Sequence, residues 1–181
     1  MATTENAQER IAFLRSLRAV RQFRPDPIPQ QVVDDLLEVA RWSGSSMNQQ
    51  PWEFVVVRDR ETLAQLGALE GYIKHLPGAA LGIVLVMAGN QERYADETFD
   101  EGRLSERLML AAWAYGIGAC VGWFAGDGVT GAKQILGIPE QRLVRTAVSF
   151  GYPDEAARRT RTATGPARKP LAELVHWDRY Q

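Results

Sequence analysis

The chain has 181 residues, the usual length of one domain, with 21 Lys and Arg against 22 Asp and Glu and a net charge of −1. This balance argues against a general nucleic-acid or membrane-surface binder, because such proteins need a clear basic excess. Hydrophobic residues make up 45% and charged residues 24% of the chain, which excludes disorder, collagen and coiled coil as descriptions of the whole. We expect one domain over residues 1–181.

Cysteine and histidine are too few for the common metal sites. The single cysteine, Cys120, excludes an internal disulfide and a multi-thiolate site. His75 and His176 are too far apart in sequence to form a helical zinc pair, so we expect no metal. Residues 1–10 are polar, unlike a signal peptide, and the apolar run 79–89 is too short to span a bilayer. We therefore expect a cytoplasmic protein.

Apolar spacing predicts the first half of the fold. Ile11 and Leu14 recur at helical spacing in a first helix, and Val33 to Ala40 carry the apolar face of a second, with Pro29 in its first turn. A loop over residues 18–27 joins these helices. A polar loop over residues 43–51 follows the second helix, and the next element is a short strand over residues 54–57.

The second half alternates helices with buried strands. Asp59 is the expected N-cap of a helix that ends near residue 69. A long helix over residues 94–115 turns from charged to apolar, and Gly137 ends another helix over residues 129–136. The remaining segments are strands over 81–87, 119–124 and 146–150, a basic stretch without periodicity over 151–170, and a short terminal element over 171–181. This order indicates an α+β or α/β protein.

Two segments have side chains that suit ligand binding. Arg18 and Arg21 could clamp a phosphate, although two solvated surface arginines would give the same pattern. The loop around Asn48 is dense in hydroxyl and amide groups that suit a polar heterocycle. Alternatively, the loop is a turn whose polar side chains form hydrogen bonds with its own backbone.

A glycine-rich segment over residues 116–123 superficially suggests a dinucleotide fingerprint. It follows a helix and enters a strand, whereas the fingerprint does the reverse, so we reject that interpretation. Close backbone approach at Gly122 remains, and Cys120 is expected to be a buried structural thiol. We find no nucleophile elbow, Walker loop or clear carboxylate pair, so an enzymatic function would need a bound cofactor for the difficult chemistry.

Taken together, four segments in order resemble the nitroreductase family of flavoproteins. Arg18-Ala19-Val20-Arg21-Gln22-Phe23 is similar to its phosphate loop, and Ser45-Ser46-Met47-Asn48-Gln49-Gln50-Pro51-Trp52-Glu53-Phe54 to its most specific signature. Residues 116–123 resemble its helix-to-strand segment beside the flavin. Gly151-Tyr152-Pro153, followed by Arg168-Lys169-Pro170-Leu171, resembles its ending.

The resemblance implies a three-layer α+β fold, with a mostly antiparallel sheet flanked by helices, and an intertwined homodimer that binds FMN at its interface. It implies that NADH or NADPH reduces the flavin by hydride transfer, and that a small aromatic or conjugated acceptor, such as a nitro compound or quinone, is then reduced in a ping-pong cycle. The chemistry is centred on the flavin, so no side chain is expected to be catalytic. The implied partners include neither nucleic acid nor membrane.

The resemblance also assigns cofactor-binding residues. Arg18, Arg21 and Arg168 would hold the FMN phosphate and ribityl chain, with Ala19 and Val20 in the same loop. The backbone of Cys120, Val121 and Gly122 would face the ring and offer an N–H toward N5. The remaining assigned residues contact the ribityl chain or ring, or support their loop: Ser45, Ser46, Asn48 and Gln50.

The sequence departs from the family pattern at two positions and in its length. Leu17 stands where the family often has an arginine, and Ala19 where it has serine, so Arg15 is a possible substitute. The short chain lacks the helical insertion that covers the site in larger members. Two alternatives stay open: a flavin-binding or flavin-sequestering dimer without turnover, and a family member that acts on a different oxidant.

Overall fold

The computed structural model describes residues 4–160 and 167–180, and a four-stranded antiparallel sheet forms its centre. The sheet order is β1-β2-β4-β3, which makes β3 an edge strand. All seven residues of β2 are buried, as the sequence predicts for a strand covered on both faces. The strands are β1 (Trp52–Val57), β2 (Leu81–Met87), β3 (Gly118–Trp123) and β4 (Leu143–Gly151).

Six α-helices accompany the sheet within the described residues. They are α1 (Thr4–Ser16), α2 (Gln30–Arg41), α3 (Arg60–Ala68), α4 (Tyr94–Ala114), α5 (Asp127–Leu136) and α6 (Glu155–Thr160). Short 3-10 turns cover Ser46–Asn48, Gln91–Arg93 and Leu171–Glu173.

Two hydrophobic cores lie on opposite faces of the sheet. Because side chains alternate along a strand, Ile83 of β2 packs into the core of α2 and α4, whereas Val84 packs into the core of α3 and α5. Leu36 and Leu108 join the first core, and Leu63 joins the second. This arrangement of helices, sheet and helices confirms the predicted three-layer α+β fold.

The helix boundaries follow from local chemistry. The Asp59 carboxylate accepts a hydrogen bond from the Thr62 backbone N–H at 2.7 Å, which confirms the predicted N-cap of α3. Gly137 takes the left-handed conformation at φ 65° and ends α5, also as predicted. Pro29 is the residue before α2 instead of a member of its first turn.

Several predicted boundaries were wrong: β1 begins at Trp52 and α5 at Asp127, each two residues before the predicted start. Strand β4 begins at Leu143 instead of residue 146, because residues 143 and 144 pair with β2 although Arg145 interrupts their apolar pattern. The segment expected to lack periodic structure begins with α6, where the Asp154 carboxylate accepts hydrogen bonds from two backbone N–H groups, at 3.0 and 3.1 Å. Residues 161–166 of that segment lie outside the described residues.

Candidate functional site

The residues between α1 and α2 pair with the edge strand β3 through one isolated bridge. The Val20 backbone N–H donates to the Ala119 carbonyl at 2.8 Å, and Ala19 pairs with Ala119 in a parallel bridge. Val20 is buried against Gly118, where a Cβ atom would lie 2.6 Å from the Val20 Cβ. Ala19 and Val20 therefore attach the arginine loop (residues 17–21) to the edge of the sheet.

Three arginines line a cavity of about 530 Å³ at one end of this loop. Arg15 is on α1, Arg18 follows that helix, and Arg168 comes from the C-terminal segment; Glu106 of α4 lies opposite. The carbonyls of residues 15 and 17 accept hydrogen bonds from the Arg18 guanidinium at 2.8 and 2.7 Å, which fixes its orientation. Three guanidinium groups in one cavity suit a phosphate or another dianion.

Arg21 lies in a different cavity, of about 390 Å³. Tyr72 and Trp123 line it with their rings 4.6 Å apart, and Lys74 and His75 complete the lining with Val121. Its aromatic surface and two cations suit a planar ligand with electron-rich oxygen atoms. The structure thus separates Arg21 from Arg18, which the sequence analysis grouped at one phosphate.

Strand β3 forms an open edge between these cavities. The carbonyls of Ala119 and Trp123 point away from β4, because they accept hydrogen bonds from the backbone N–H groups of Val20 and Tyr72, each at 2.8 Å. Hydrogen-bonding direction alternates along a strand, so Val121, midway between them, directs its N–H and C=O to the same edge. Cys120 and Gly122 direct theirs toward β4.

A third cavity, of about 480 Å³, shares lining residues with each of the other two. It shares Glu106 and Met109 with the arginine cavity, and Val121 and Trp123 with the aromatic cavity. Arg145 also lines it. We call these three cavities together the groove. The groove has a cationic end at Arg18, an open strand edge near its middle, and an aromatic end at Tyr72.

The predicted hydroxyl and amide residues lie elsewhere, in the amide loop (residues 45–50). The Ser46 backbone N–H donates to the Asp100 carboxylate at 2.9 Å, and the Ser46 hydroxyl contacts Asp96 at 3.3 Å. The Ser45 hydroxyl accepts from the Gln50 N–H at 2.9 Å, and the Gln50 amide donates to the Asn48 carbonyl at 3.1 Å. Within this chain, these polar groups form hydrogen bonds with one another and with carboxylates of α4.

Helix α4 separates the amide loop from the groove. At about 100° of rotation per residue, Glu106 and Met109 lie roughly 240° and 180° around the helix axis from Asp100. The Asp100 carboxylate, which contacts the amide loop, therefore lies opposite Met109 and about 120° from Glu106 around the helix. Arg18, Arg168 and Val121 meet along one groove, and Ser45, Ser46, Asn48 and Gln50 do not join them.

Several groove residues were missing from the sequence analysis. Tyr72 and Lys74 belong to no chemical motif, and Trp123, the last residue of the glycine-rich segment, was assigned no role. Arg145 interrupts an apolar strand, which is a signal for a polar contact with α4 or a cavity. Its guanidinium donates to the buried Glu101 carboxylate at 2.8 Å.

His75 is a buried polar residue beneath the aromatic cavity. Its Nδ1 lies 2.7 Å from the Ser149 hydroxyl, and its Nε2 has no hydrogen-bond partner among the described residues. Burial, together with the positive charge of Arg21, lowers the pKa of His75 to about 4. His75 is therefore neutral at pH 7.

Two features are absent from residues 4–160 and 167–180. They contain no cluster of three His, Cys, Asp or Glu side chains able to hold a metal ion. None of their helices is both long and apolar enough to cross a membrane.

The fold is α+β, and the groove places three arginines next to an open strand edge. The Nitroreductase family model matches residues 14–73, which include the arginine loop, the amide loop and Tyr72. Residues 14–73 are therefore similar to the nitroreductase family.

Similar proteins extend the match over the whole chain. A protein of Archaeoglobus fulgidus with the provisional name NADH dehydrogenase/NAD(P)H nitroreductase is 29% identical over 82% of this chain and 87% of its own. Nitroreductase NfnB of Mycolicibacterium smegmatis is 26% identical over 98% and 95%. The solved structure of an FMN-dependent nitroreductase from Clostridium difficile R20291 has the same fold, with a TM-score of 0.77, 24% identity and coverage of 94% and 99%.

Proposed function

We propose that this protein is an FMN-dependent oxidoreductase that uses NADH or NADPH to reduce a small aromatic or conjugated acceptor, such as a nitro compound or quinone. The observation that carries the proposal is the groove, which joins a cluster of three arginines to an open strand edge and an aromatic end. The names of the similar proteins support both the flavin and the nicotinamide.

The cationic end fits the phosphate of FMN. Arg15, Arg18 and Arg168 supply planar donors to one cavity, and a phosphate dianion is the group that such donors bind best. Arg15 would fill the role that the family often gives to the residue at Leu17. Ala19 and Val20 would contribute through the backbone that attaches the loop to β3.

The strand edge and the aromatic end fit the flavin ring. The Val121 N–H points to the open edge and would donate to the ring, while the glycine at 122 keeps the strand close to Tyr72 and His75. Arg21 would contact the ring instead of the phosphate, because it lies in the aromatic cavity. When bound, FMN supplies the hydride transfer between nicotinamide and acceptor, so this chain needs no acid or base of its own.

The position of the amide loop supports a homodimer. One protomer holds the loop on the side of α4 opposite its own groove, so Ser45, Ser46, Asn48 and Gln50 would contact FMN bound in the groove of a second protomer. The C-terminal segment also exposes five large apolar side chains that a partner would cover: Leu171, Leu174, Val175, Trp177 and Tyr180.

Visible absorption of the purified protein tests this proposal. We expect flavin bands after addition of FMN, and anaerobic NADH or NADPH should bleach them. Bands that persist with both donors would favour the alternative of a flavin-binding dimer without turnover. A protein that binds no FMN, under conditions where its near-ultraviolet circular dichroism shows a folded state, would overturn the proposal.

A further inference from the structure

His75 lies behind the open edge of β3, at the base of the aromatic cavity. Only 8% of its surface is exposed, and its ring packs against the Cα atom of Gly122. A Cβ atom at position 122 would lie 2.7 Å from His75 Nε2 and 2.3 Å from the Tyr72 carbonyl oxygen. The absence of a side chain at this position thus allows the imidazole to support the strand from below.

A hydrogen-bond chain connects the imidazole to the strand. The Ser149 hydroxyl donates to the Cys120 carbonyl at 3.4 Å, and His75 Nδ1 lies 2.7 Å from the same hydroxyl. That hydroxyl has one hydrogen; when the carbonyl receives it, His75 Nδ1 donates to Ser149 Oγ and Nε2 carries the lone pair. The neutral imidazole allows this tautomer.

The chain ends on the peptide unit that faces the groove. The Cys120 carbonyl and the Val121 N–H are the two ends of one planar peptide group. A donor to the carbonyl polarises that group and makes the N–H at its other end a better donor. The Ser149 hydroxyl therefore acts on the N–H that β3 directs to the open edge.

We propose that His75 is a positioning residue, which acts through Ser149 to orient and polarise the Cys120–Val121 peptide, so that Val121 N–H is held as a strong donor to the bound cofactor. This inference rests on the proposed function. In oxidised flavin the ring nitrogen N5 accepts a hydrogen bond, whereas in reduced flavin it carries a hydrogen. A strong N–H donor directed at N5 therefore favours the oxidised cofactor, and weakening this donor raises the midpoint potential.

The test compares the midpoint potential of bound FMN in Ser149→Ala, His75→Gln and His75→Asn with the wild type. Ser149→Ala removes the link, and His75→Gln moves the amide donor away from the Nδ1 position. We expect both to raise the potential, by up to tenfold in the ratio of oxidised to reduced affinity, or about 30 mV for a two-electron couple. His75→Asn places an amide N–H near Nδ1 and is expected to restore most of the wild-type value.

Each outcome decides one of the two proposals. A structural role alone would lower the melting temperature of the variants and leave their potentials at the wild-type value, which would overturn the inference while FMN binding stands. Potentials that change equally in His75→Gln and His75→Asn would also overturn it. A wild-type protein that binds no FMN would overturn the proposed function itself, and the inference with it. If Ser149→Ala does not fold, the His75 pair decides.

Discussion

The arginine loop and the amide loop contain the two most informative motifs of the sequence, yet the structure fixes them in different ways and on different sides of α4. The arginine loop is joined to β3 through Val20 and opens on the groove. The amide loop is held by Asp100 on the far side of the helix. Residues assigned to one ligand therefore need not meet in one chain, and the second protomer becomes part of the proposed site.

The two loops also differ in backbone strain. Three side-chain-bearing residues of the amide loop have positive φ, namely Met47 at 50°, Asn48 at 55° and Gln50 at 50°. No residue of the arginine loop does. Such conformations cost free energy and persist only where the surroundings hold them. The amide loop therefore has a shape imposed by its contacts with α4, whereas the arginine loop has the relaxed backbone of a segment paired with β3.

We expect the largest change in FMN affinity when the arginine substitutions and an amide-loop substitution are placed on different protomers. In homodimers, Arg18→Ala with Arg168→Ala removes two charged donors and should weaken FMN binding by more than ~100-fold. Asn48→Asp keeps a residue that tolerates positive φ but replaces the amide donor, and should weaken binding by about tenfold or more. A mixed dimer, purified with two different tags, should recover one FMN site of wild-type affinity, measured by fluorescence titration.

The mixed dimer shows which groove the amide loop serves, because the substitutions of the two protomers combine differently in the two cases. If the amide loop acts on the second protomer's groove, one site has no lesion and the other has all of them. If it acts on its own groove, every site has at least one lesion and no wild-type site appears. The latter result would contradict the proposed arrangement.

The next largest effect distinguishes Arg18, at the cationic end of the groove, from Arg21, at its aromatic end. Arg18→Ala should raise the Kd for FMN by about 10- to 100-fold, as expected for a charged hydrogen bond, and leave that for riboflavin unchanged. Arg21→Ala should raise both values by a similar factor, because Arg21 lies in the aromatic cavity. Isothermal titration with FMN and with riboflavin measures this difference.

Arg24→Ala is the matched control, since Arg24 pairs with Asp26 and lines none of the three groove cavities. Its Kd values should stay within about twofold, because exposed ion pairs contribute little. If Arg21→Ala weakens the binding of FMN but not of riboflavin, Arg21 contacts the phosphate, as the sequence predicts.

Most of the fold could be predicted from the sequence because local signals agree with packing. The continuous apolar run gave β2 its exact limits, and Asp59 and Gly137 marked helix ends through capping chemistry. The start of β4 could not be predicted, because Arg145 breaks its pattern and pairing with β2 overrides that break. Asp154 caps the N-terminus of α6, and an Asp before a helix is a signal that the sequence contains.

The candidate site was less predictable, because its residues are related only through the tertiary structure. Arg18 and Arg168 were expected to act together and do share a cavity. The division between Arg18 and Arg21, three positions apart, depends on which side of the arginine loop each side chain lies. Lys74 and His75 enter the site only because residues 71–73 run beside the end of β3, which no local pattern reveals.

A smaller effect is expected from loosening the amide loop at its attachment to α4. Asp100 is 2% exposed, and its carboxylate accepts from the Ser46 N–H. Asp100→Asn removes the charge from this hydrogen bond and should lower the free energy of unfolding by about 1–2 kcal/mol. The FMN Kd should rise a few-fold although Asp100 lines no part of the groove.

Asp96→Asn provides the comparison, because the Asp96 side chain is half exposed and contacts Ser46 through its hydroxyl only. Its unfolding free energy should change by less than about 0.5 kcal/mol in urea titrations. If both variants keep wild-type FMN affinity while Asp100→Asn is destabilised, the amide loop does not contact the cofactor in either protomer.

The smallest effect tests the backbone strain that distinguishes the loops. Met47 has φ 50° and its side chain is largely exposed, so Met47→Gly relieves left-handed strain and should raise the free energy of unfolding by about 0.5–1 kcal/mol. Gln22→Gly, in an extended segment with no positive φ, should lower it by a similar amount, because glycine adds only entropy to the unfolded chain. Urea unfolding at matched protein and FMN concentrations measures both. Equal signs in the two variants would show that the amide loop stores no more strain than the segment following the arginine loop.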